Sequence, residues 1–206
     1  MKPERPLTPA EFRSLTGVSR ETLDRLEAYL GLLGQWQRAV NLVGARTLAD
    51  PWRRHMLDSA QLYPYVTTGG SVADLGSGAG LPGLVLAIMG ARPMALVEVD
   101  VRKAEFLREA ARVTATDVAI RVGRIETVAP SPSAVVCARA LAPLKRLLGW
   151  AARWLAADGI CLFLKGREAE SEIAEAAATW RFTIDRLPSR TDRDGVILRI
   201  GALSHV

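Results

Sequence analysis

The sequence predicts an α/β fold: a doubly wound, mostly parallel sheet that ends in an antiparallel hairpin and follows a helical N-terminal extension. Three observations carry that expectation. From Ser71 onward, short apolar runs alternate with amphipathic segments, the pattern of parallel strands joined by helical crossovers. Several runs are continuously apolar, such as AVVCA at 134–138 and ICLFL at 160–164, as strands covered on both faces require. The tail reads RFTIDRL, then the turn-rich SRTDRDG, then VILRI, which predicts two strands joined by a hairpin rather than a repeat of the first half.

Residues 1 to about 68 are expected to form the extension, and residues 69–206 the ligand-binding domain. After Ser19, a suitable N-cap, Leu23, Leu26, Leu30, Leu33 and Trp36 advance by three and four and place one apolar stripe on a helix. Asp50 followed by Pro51 signals a second helix, with an acidic cap and proline at its first position, running to about Tyr63 before Pro64 ends it. Beyond the extension, strands are predicted at 71–75, 94–99, 118–122, 134–138 and 160–164, with helices at about 82–89, 101–114, 143–156 and 167–178.

Composition excludes several classes. Of the 206 residues 49% are hydrophobic and 24% charged, which rules out a disordered chain, and no apolar run approaches a membrane span. The start MKPERPLTPAEF lacks the apolar centre of a signal peptide, so a cytoplasmic protein is expected, with no membrane partner and acting as a monomer. Cys137 and Cys161 lie inside apolar runs and are expected to be buried, reduced thiols rather than a disulfide or a metal site. The 27 Lys and Arg against 22 Asp and Glu give a net charge of +5, a mild indication of a nucleic-acid partner.

The chemistry concentrates in VADLGSGAGLPG at 72–83. Gly76, Gly78 and Gly80 permit backbone conformations that a side chain would forbid and let a ligand approach where a strand enters a helix. Glu98 follows Gly78 by twenty residues and ends the second strand, where it can accept hydrogen bonds from an adenosine ribose. Residues 78–83 also fit the G-x-G-x-x-G pattern of a dinucleotide site. Asp74 is expected at the mouth of this loop. There it would repel a pyrophosphate by about 4 kcal/mol at 4 Å and an intermediate dielectric, yet attract a cationic methyl donor. That contrast favours S-adenosylmethionine over NAD.

A methyltransferase of this kind needs an acceptor. Attack through carbon 5 of a pyrimidine would need a cysteine nucleophile, for which Cys137 in an apolar run is poorly suited. Exocyclic amines are commonly met by an acidic or amide residue beside prolines after the fourth strand; here Ala138, Arg139, Ala140, Leu141, Ala142 and Pro143 stand instead. A ring nitrogen with a free lone pair, such as guanine N7, needs no base. Arg139 and Lys165 follow strands at the ligand-binding edge, where Arg139 can offer a planar fork of donors and Lys165 a mobile point charge. In the helix after Asp50, Asp58 lies four residues beyond Arg54 and three beyond His55, so the three can share a face; for His55 an orienting hydrogen bond, or a plain Arg54 to Asp58 pair beside it, is expected in preference to proton transfer.

Taken together, NLVGARTLADPWRRHMLDS, DLGSGAGLPGLVLAI, LVEVDVRKAEFL, ARALAPL and KG resemble the successive signatures of the bacterial small-subunit rRNA guanine-N7 methyltransferases, the RsmG or GidB family. The resemblance covers about residues 20–166. It implies a class I (Rossmann-like) methyltransferase fold, S-adenosylmethionine as donor, and 16S rRNA, free or in the small ribosomal subunit, as acceptor. By position it implies donor contacts at Gly76 and Leu81, ribose contact at Glu98, an adenine region at Ile125 and Glu126, and Arg139 beside the methionine part. Arg54, His55, Asp58 and Lys165 match the substrate side. Ala138 stands where the family often has serine, and Val43 where it often has threonine; neither change alters a charge. Two rivals remain: an NAD-dependent oxidoreductase, and a non-enzymatic RNA-binding ribosome assembly factor.

Overall fold

The computed structural model describes residues 5–66 and 70–206, so the expected boundary near residue 68 lies outside the described residues. Among those described, seven strands form one sheet: β1 (Val72–Leu75), β2 (Met94–Glu98), β3 (Ala119–Val122), β4 (Ser133–Arg139), β5 (Leu155–Lys165), β6 (Trp180–Pro188) and β7 (Val196–His205). Their order is β3-β2-β1-β4-β5-β7-β6. The first five run parallel, and β7 is antiparallel to both β5 and β6, as the hairpin signal predicted. The strand order reverses between β1 and β4, and at such a switch point the crevice beyond the carboxyl ends of the strands receives the ligand.

Helices cover both faces. On one lie α6 (Leu144–Ala151) and α7 (Ala169–Ala177), whose Leu144, Leu147, Leu148 and Ile173 pack against Ala73, Leu75, Val136 and Phe163 of the sheet. On the other lie α4 (Gly83–Ile88) and α5 (Val101–Val113), and the N-terminal helices α1 (Pro9–Thr16) and α2 (Arg20–Trp36) join the same buried cluster. The apolar stripe of α2 is confirmed: Leu23, Leu26 and Leu33 are buried, and Leu30 and Trp36 are partly buried against the cluster. Tyr29, which the stripe omitted, is wholly buried with them and meets Phe106 of α5 at 6.2 Å between ring centres. Ser19 caps α2 by accepting the Thr22 N–H at 3.0 Å.

Two predicted helices are corrected. In place of one α-helix from Asp50 to Tyr63, the chain forms a π-helical segment (Trp52–Leu57), a short α3 (Asp58–Ala60) and a 3₁₀ turn (Tyr63–Tyr65), and another 3₁₀ turn (Ala45–Ala49) precedes Asp50. Asp50 still acts at the start, accepting the Arg53 N–H at 3.3 Å, while the Asp58 N–H reaches back five residues to the Arg53 carbonyl. The helix predicted at 143–156 ends at Ala151, because Leu155 already pairs with Ser133 at the start of a longer β5. Cys137 and Cys161 are buried and free, on neighbouring strands.

The extension is tied to the glycine loop by one buried bond, in which the Tyr29 hydroxyl donates to the Ala79 carbonyl at 2.6 Å. Burial holds that phenol protonated, well above its ordinary range. Tyr29→Phe should cost about 1–3 kcal/mol by stranding the carbonyl, read as a lower urea midpoint at unchanged slope; an unchanged midpoint would mean that the carbonyl finds another partner.

Candidate active site

At the carboxyl edge of the parallel strands a cavity of about 850 Å³ opens between the glycine loop, the loop after β4 and the π-helical segment. Of the site residues expected from the sequence, Gly76, Gly78, Leu81, Glu98, Ile125, Glu126, Arg139, Lys165, Arg54, His55 and Asp58 line it, and Asp74 and Gly80 do not. Gly76, Gly78 and Gly80 have φ of +67°, +56° and +87°, the left-handed region that favours glycine. A side chain at Gly76 would also meet Leu141 of the loop after β4 at 2.5 Å, so the two walls approach closely here.

Asp74 is not at the mouth of the loop, which corrects the charge argument made from the sequence. Residues alternate across a strand, and Asp74 falls on the face covered by α4. It is wholly buried, its Oδ2 accepts the Gly83 N–H at 3.1 Å, and the Cys137 thiol lies 3.7 Å from its Oδ1. Gly83 permits this contact, since a Cβ there would stand 2.6 Å from that of Asp74. Burial, only partly offset by the Gly83 bond, raises the Asp74 pKa to about 7.

The carboxylate that does face the cavity is Glu98. Its Oε2 accepts the Gly78 N–H at 2.7 Å and its Oε1 the Asp100 N–H at 2.8 Å. Each oxygen keeps a second lone pair for a hydroxyl of a ligand. Asp100 in turn caps α5 through the Arg102 N–H at 2.8 Å. Further along this wall, Glu126 accepts the Trp150 indole N–H at 3.0 Å, and Arg153 donates to the Ile125 and Glu126 carbonyls at 3.1 and 2.6 Å. The Arg146 guanidinium stacks 4.7 Å above the Trp150 ring.

On the opposite wall Arg139 organises the π-helical segment. Its Nη1 donates to the Arg54 carbonyl and to Asp58 Oδ2, each at 3.0 Å, and its Nη2 lies 3.3 Å from His55 Nδ1. Burial, reinforced by Arg139 and then Arg54, lowers the His55 pKa to about 4, so the ring is neutral at pH 7. With Nδ1 accepting from Arg139, the proton belongs on Nε2, which faces Thr47 Oγ1 at 2.9 Å; the Thr47 hydroxyl then donates to the Gly44 carbonyl at 2.6 Å. His55 thus takes the orienting role expected of it. The Arg54 to Asp58 pair does not form: the i→i+5 turn re-aims Asp58 toward β4, and Arg54 reaches Asp192 at 3.3 Å instead.

Lys165 is also corrected. It lines the cavity, but its ammonium is a fixed tie rather than a mobile charge, donating to the Ala142 carbonyl at 2.9 Å and pairing with Glu172 at 2.5 Å. Because Glu172 also accepts the Leu144 N–H at 2.6 Å, the lysine fastens the loop after β4 to α6 and α7. Sequence reasoning missed Tyr29, Thr47, Trp150 and the segment 189–195. The partners of Tyr29, Trp150 and the segment lie far off in sequence, those of Thr47 are near but were not signalled by any motif, and only SRTDRDG carried a signal, as a turn.

The parallel sheet with its β7-β6 hairpin, the glycine loop after β1 and the acid ending β2 define a Rossmann-like domain of the methyltransferase class. Solved structures agree on the fold. A TehB-like SAM-dependent methyltransferase from Corynebacterium glutamicum superposes with a TM-score of 0.59 at 14% identity, over 84% of this chain and 98% of that one. The TYW2 protein of M. jannaschii, solved in complex with AdoMet, gives 0.55 at 10% identity over 72% and 74%. The chain belongs to the rRNA small subunit methyltransferase G family, whose model matches residues 22–189. Curated relatives called ribosomal RNA small subunit methyltransferase G are similar along almost the whole length: that of Paramagnetospirillum magneticum is 56% identical over 95% of this chain and 96% of its own, and that of Rhodospirillum rubrum 52% identical over 96% and 98%.

The Asp74 carboxyl binds its proton more tightly in the folded chain than in the unfolded one, so its contribution to stability is lost as pH rises from about 4 to about 7. Asp74→Asn should remove that loss. The stability of the variant relative to the parent should rise across the window, by at most about 4 kcal/mol, in urea unfolding at each end; parallel profiles would mean that the carboxylate is ionised throughout.

Proposed function

We propose that this protein transfers a methyl group from S-adenosylmethionine to N7 of a guanine in an exposed loop of 16S rRNA. One observation carries the choice of N7: among the described residues, His55 and Asp58, the candidate bases beside Arg139, are both committed to partners. The His55 Nδ1 lone pair accepts from Arg139, its other nitrogen faces Thr47, and Asp58 accepts from Arg139, Gln61 and Thr191. Guanine N7 carries a lone pair and no proton, so in-line positioning and electrostatics suffice.

The donor, when bound, supplies a methyl on a cationic sulfur. Residues of this chain fit it: Glu98 is placed for the ribose hydroxyls, Ile125 and Glu126 for the adenine, and the glycine loop for a close backbone approach. Arg139, held from three sides, is the positioning group between donor and acceptor. A guanine in an RNA helix would hide N7 in a deep, narrow groove, which favours an unpaired target. With Asp74 buried, direct repulsion no longer argues against NAD; family membership and the terminal hairpin do. Among the described residues no helix is long and apolar enough to cross a membrane, and we propose a monomer acting in the cytoplasm on rRNA or on a small-subunit particle.

With a methyl-tritiated donor and 16S rRNA from a strain lacking this enzyme, label should appear at guanine N7. Label on another atom would refute the N7 assignment, and tight NADH binding without a response to S-adenosylhomocysteine would refute the donor. Arg139→Lys, which keeps the charge but loses the fork, should lower transfer by about 100-fold with a smaller loss of folding stability; near-normal turnover would remove Arg139 from the site.

A further inference from the structure

Segment 189–195, between β6 and β7, crosses the acceptor side of the cavity, with Ser189, Asp192 and Gly195 in its wall. Its two carboxylates each hold an arginine from another part of the chain. Asp192 Oδ2 lies 3.3 Å from Arg54 Nη1, and Asp194 Oδ2 accepts from Arg167 Nη2 at 2.9 Å. The two acids are joined within one turn, where Asp192 Oδ1 accepts the Asp194 N–H at 3.0 Å. The segment also rests on the π-helical region: the Thr191 hydroxyl donates to Asp58 Oδ1 at 2.5 Å and the Arg190 N–H to Gln61 Oε1 at 2.9 Å.

We propose that Arg54 and Arg167 form a phosphodiester-binding pair at the acceptor entrance, and that segment 189–195 is a strap whose Asp192 and Asp194 occupy this pair until RNA displaces them. The proposal rests on the rRNA acceptor argued above. Both ion pairs are well exposed, with side-chain accessibilities of 41% and 45% for Arg54 and Asp192 and of 83% and 59% for Arg167 and Asp194. Pairs so placed are weak and screened by salt. A phosphodiester offers the same guanidinium fork two anionic oxygens, brings many further contacts, and can therefore take the carboxylates' place. Until it does, both arginines are held by one turn; Arg54 lines the cavity, as does Gly166, the neighbour of Arg167 in the chain.

The strap reaches further than the entrance. Asp58, which accepts from Thr191, also accepts from Arg139, and the Arg54 carbonyl is another partner of Arg139. The strap thus shares two residues, Asp58 and Arg54, with the network that holds Arg139, through different atoms of each.

The test measures affinity for deproteinised 16S rRNA and for 30S particles, both from a strain lacking this enzyme, at fixed salt. Asp194→Asn should tighten binding about threefold to tenfold and lower KM while kcat changes less than about twofold. In an Arg167→Ala background the same substitution should change affinity by less than about twofold, since no cation remains to be released. An equal gain in both backgrounds would reduce the effect to long-range charge and overturn the strap, as would no gain or a loss in the Arg167 background. Unchanged thermal unfolding guards against misfolding. If the unsubstituted protein binds neither form and transfers no label, the rRNA acceptor itself is refuted and the strap falls with it, an outcome that is visible without any variant.

Discussion

The glycine loop is clamped by two carboxylates from opposite sides, and the rest of the site is built on that clamp. From beneath, Asp74 takes the Gly83 N–H and fixes where α4 begins. From the cavity side, Glu98 takes the Gly78 N–H and fixes the crest of the loop. Three glycines with positive φ cannot hold a single shape by themselves, because glycine gives up more conformational freedom on folding than any other residue. External acceptors must supply the order. The Tyr29 hydroxyl adds a third restraint at the Ala79 carbonyl, so the N-terminal helices help to shape the glycine loop.

The acceptor wall follows a similar logic with the signs reversed. Arg139 at the end of β4 is a cation that donates to a carbonyl, a carboxylate and an imidazole, all from the segment between Arg54 and Asp58. A regular α-helix would aim Asp58 along the face of Arg54; the π turn directs it to the sheet instead. The resulting network keeps His55 neutral and commits both His55 and Asp58 to partners. This is a costly arrangement for folding, since a guanidinium and a carboxylate about four-fifths covered lose much of their hydration. It is well suited to a reaction in which charge and position matter and proton transfer does not.

The sheet was legible in the sequence because its signals are local: apolar runs for the strands, glycines for the loop, and turn residues before β7. The positions of Glu98 and Arg139 on the cavity were legible too, because each ends a strand, whereas Ile125 and Glu126 followed only from the family resemblance. What the sequence concealed depended on side-chain direction or on distant partners. Asp74 stands two residues from a ligand-binding glycine, yet strand alternation turns it inward. Lys165 looked free because Glu172, its partner, belongs to the next helix. The π turn was hidden behind a strong start signal, Asp50 and Pro51, which specifies where a helix begins and nothing about how it winds.

Asp74, enclosed in the protein, does not distinguish a cationic donor from a pyrophosphate. Glu98 is the carboxylate that lines the cavity beside the glycine loop, and half of its hydrogen-bonding capacity is committed to the Gly78 and Asp100 N–H groups. Its charge is thus shared with two N–H dipoles before any ligand arrives, which makes the pocket less negative than a bare acid would. On the opposite wall Arg139 and Arg54 are each paired with an acid, Asp58 and Asp192, so that wall holds its cations in ion pairs rather than as bare charges. A net charge of only +5 does not tell against an anionic polymer as substrate, since Arg54 and Arg139 line the cavity itself.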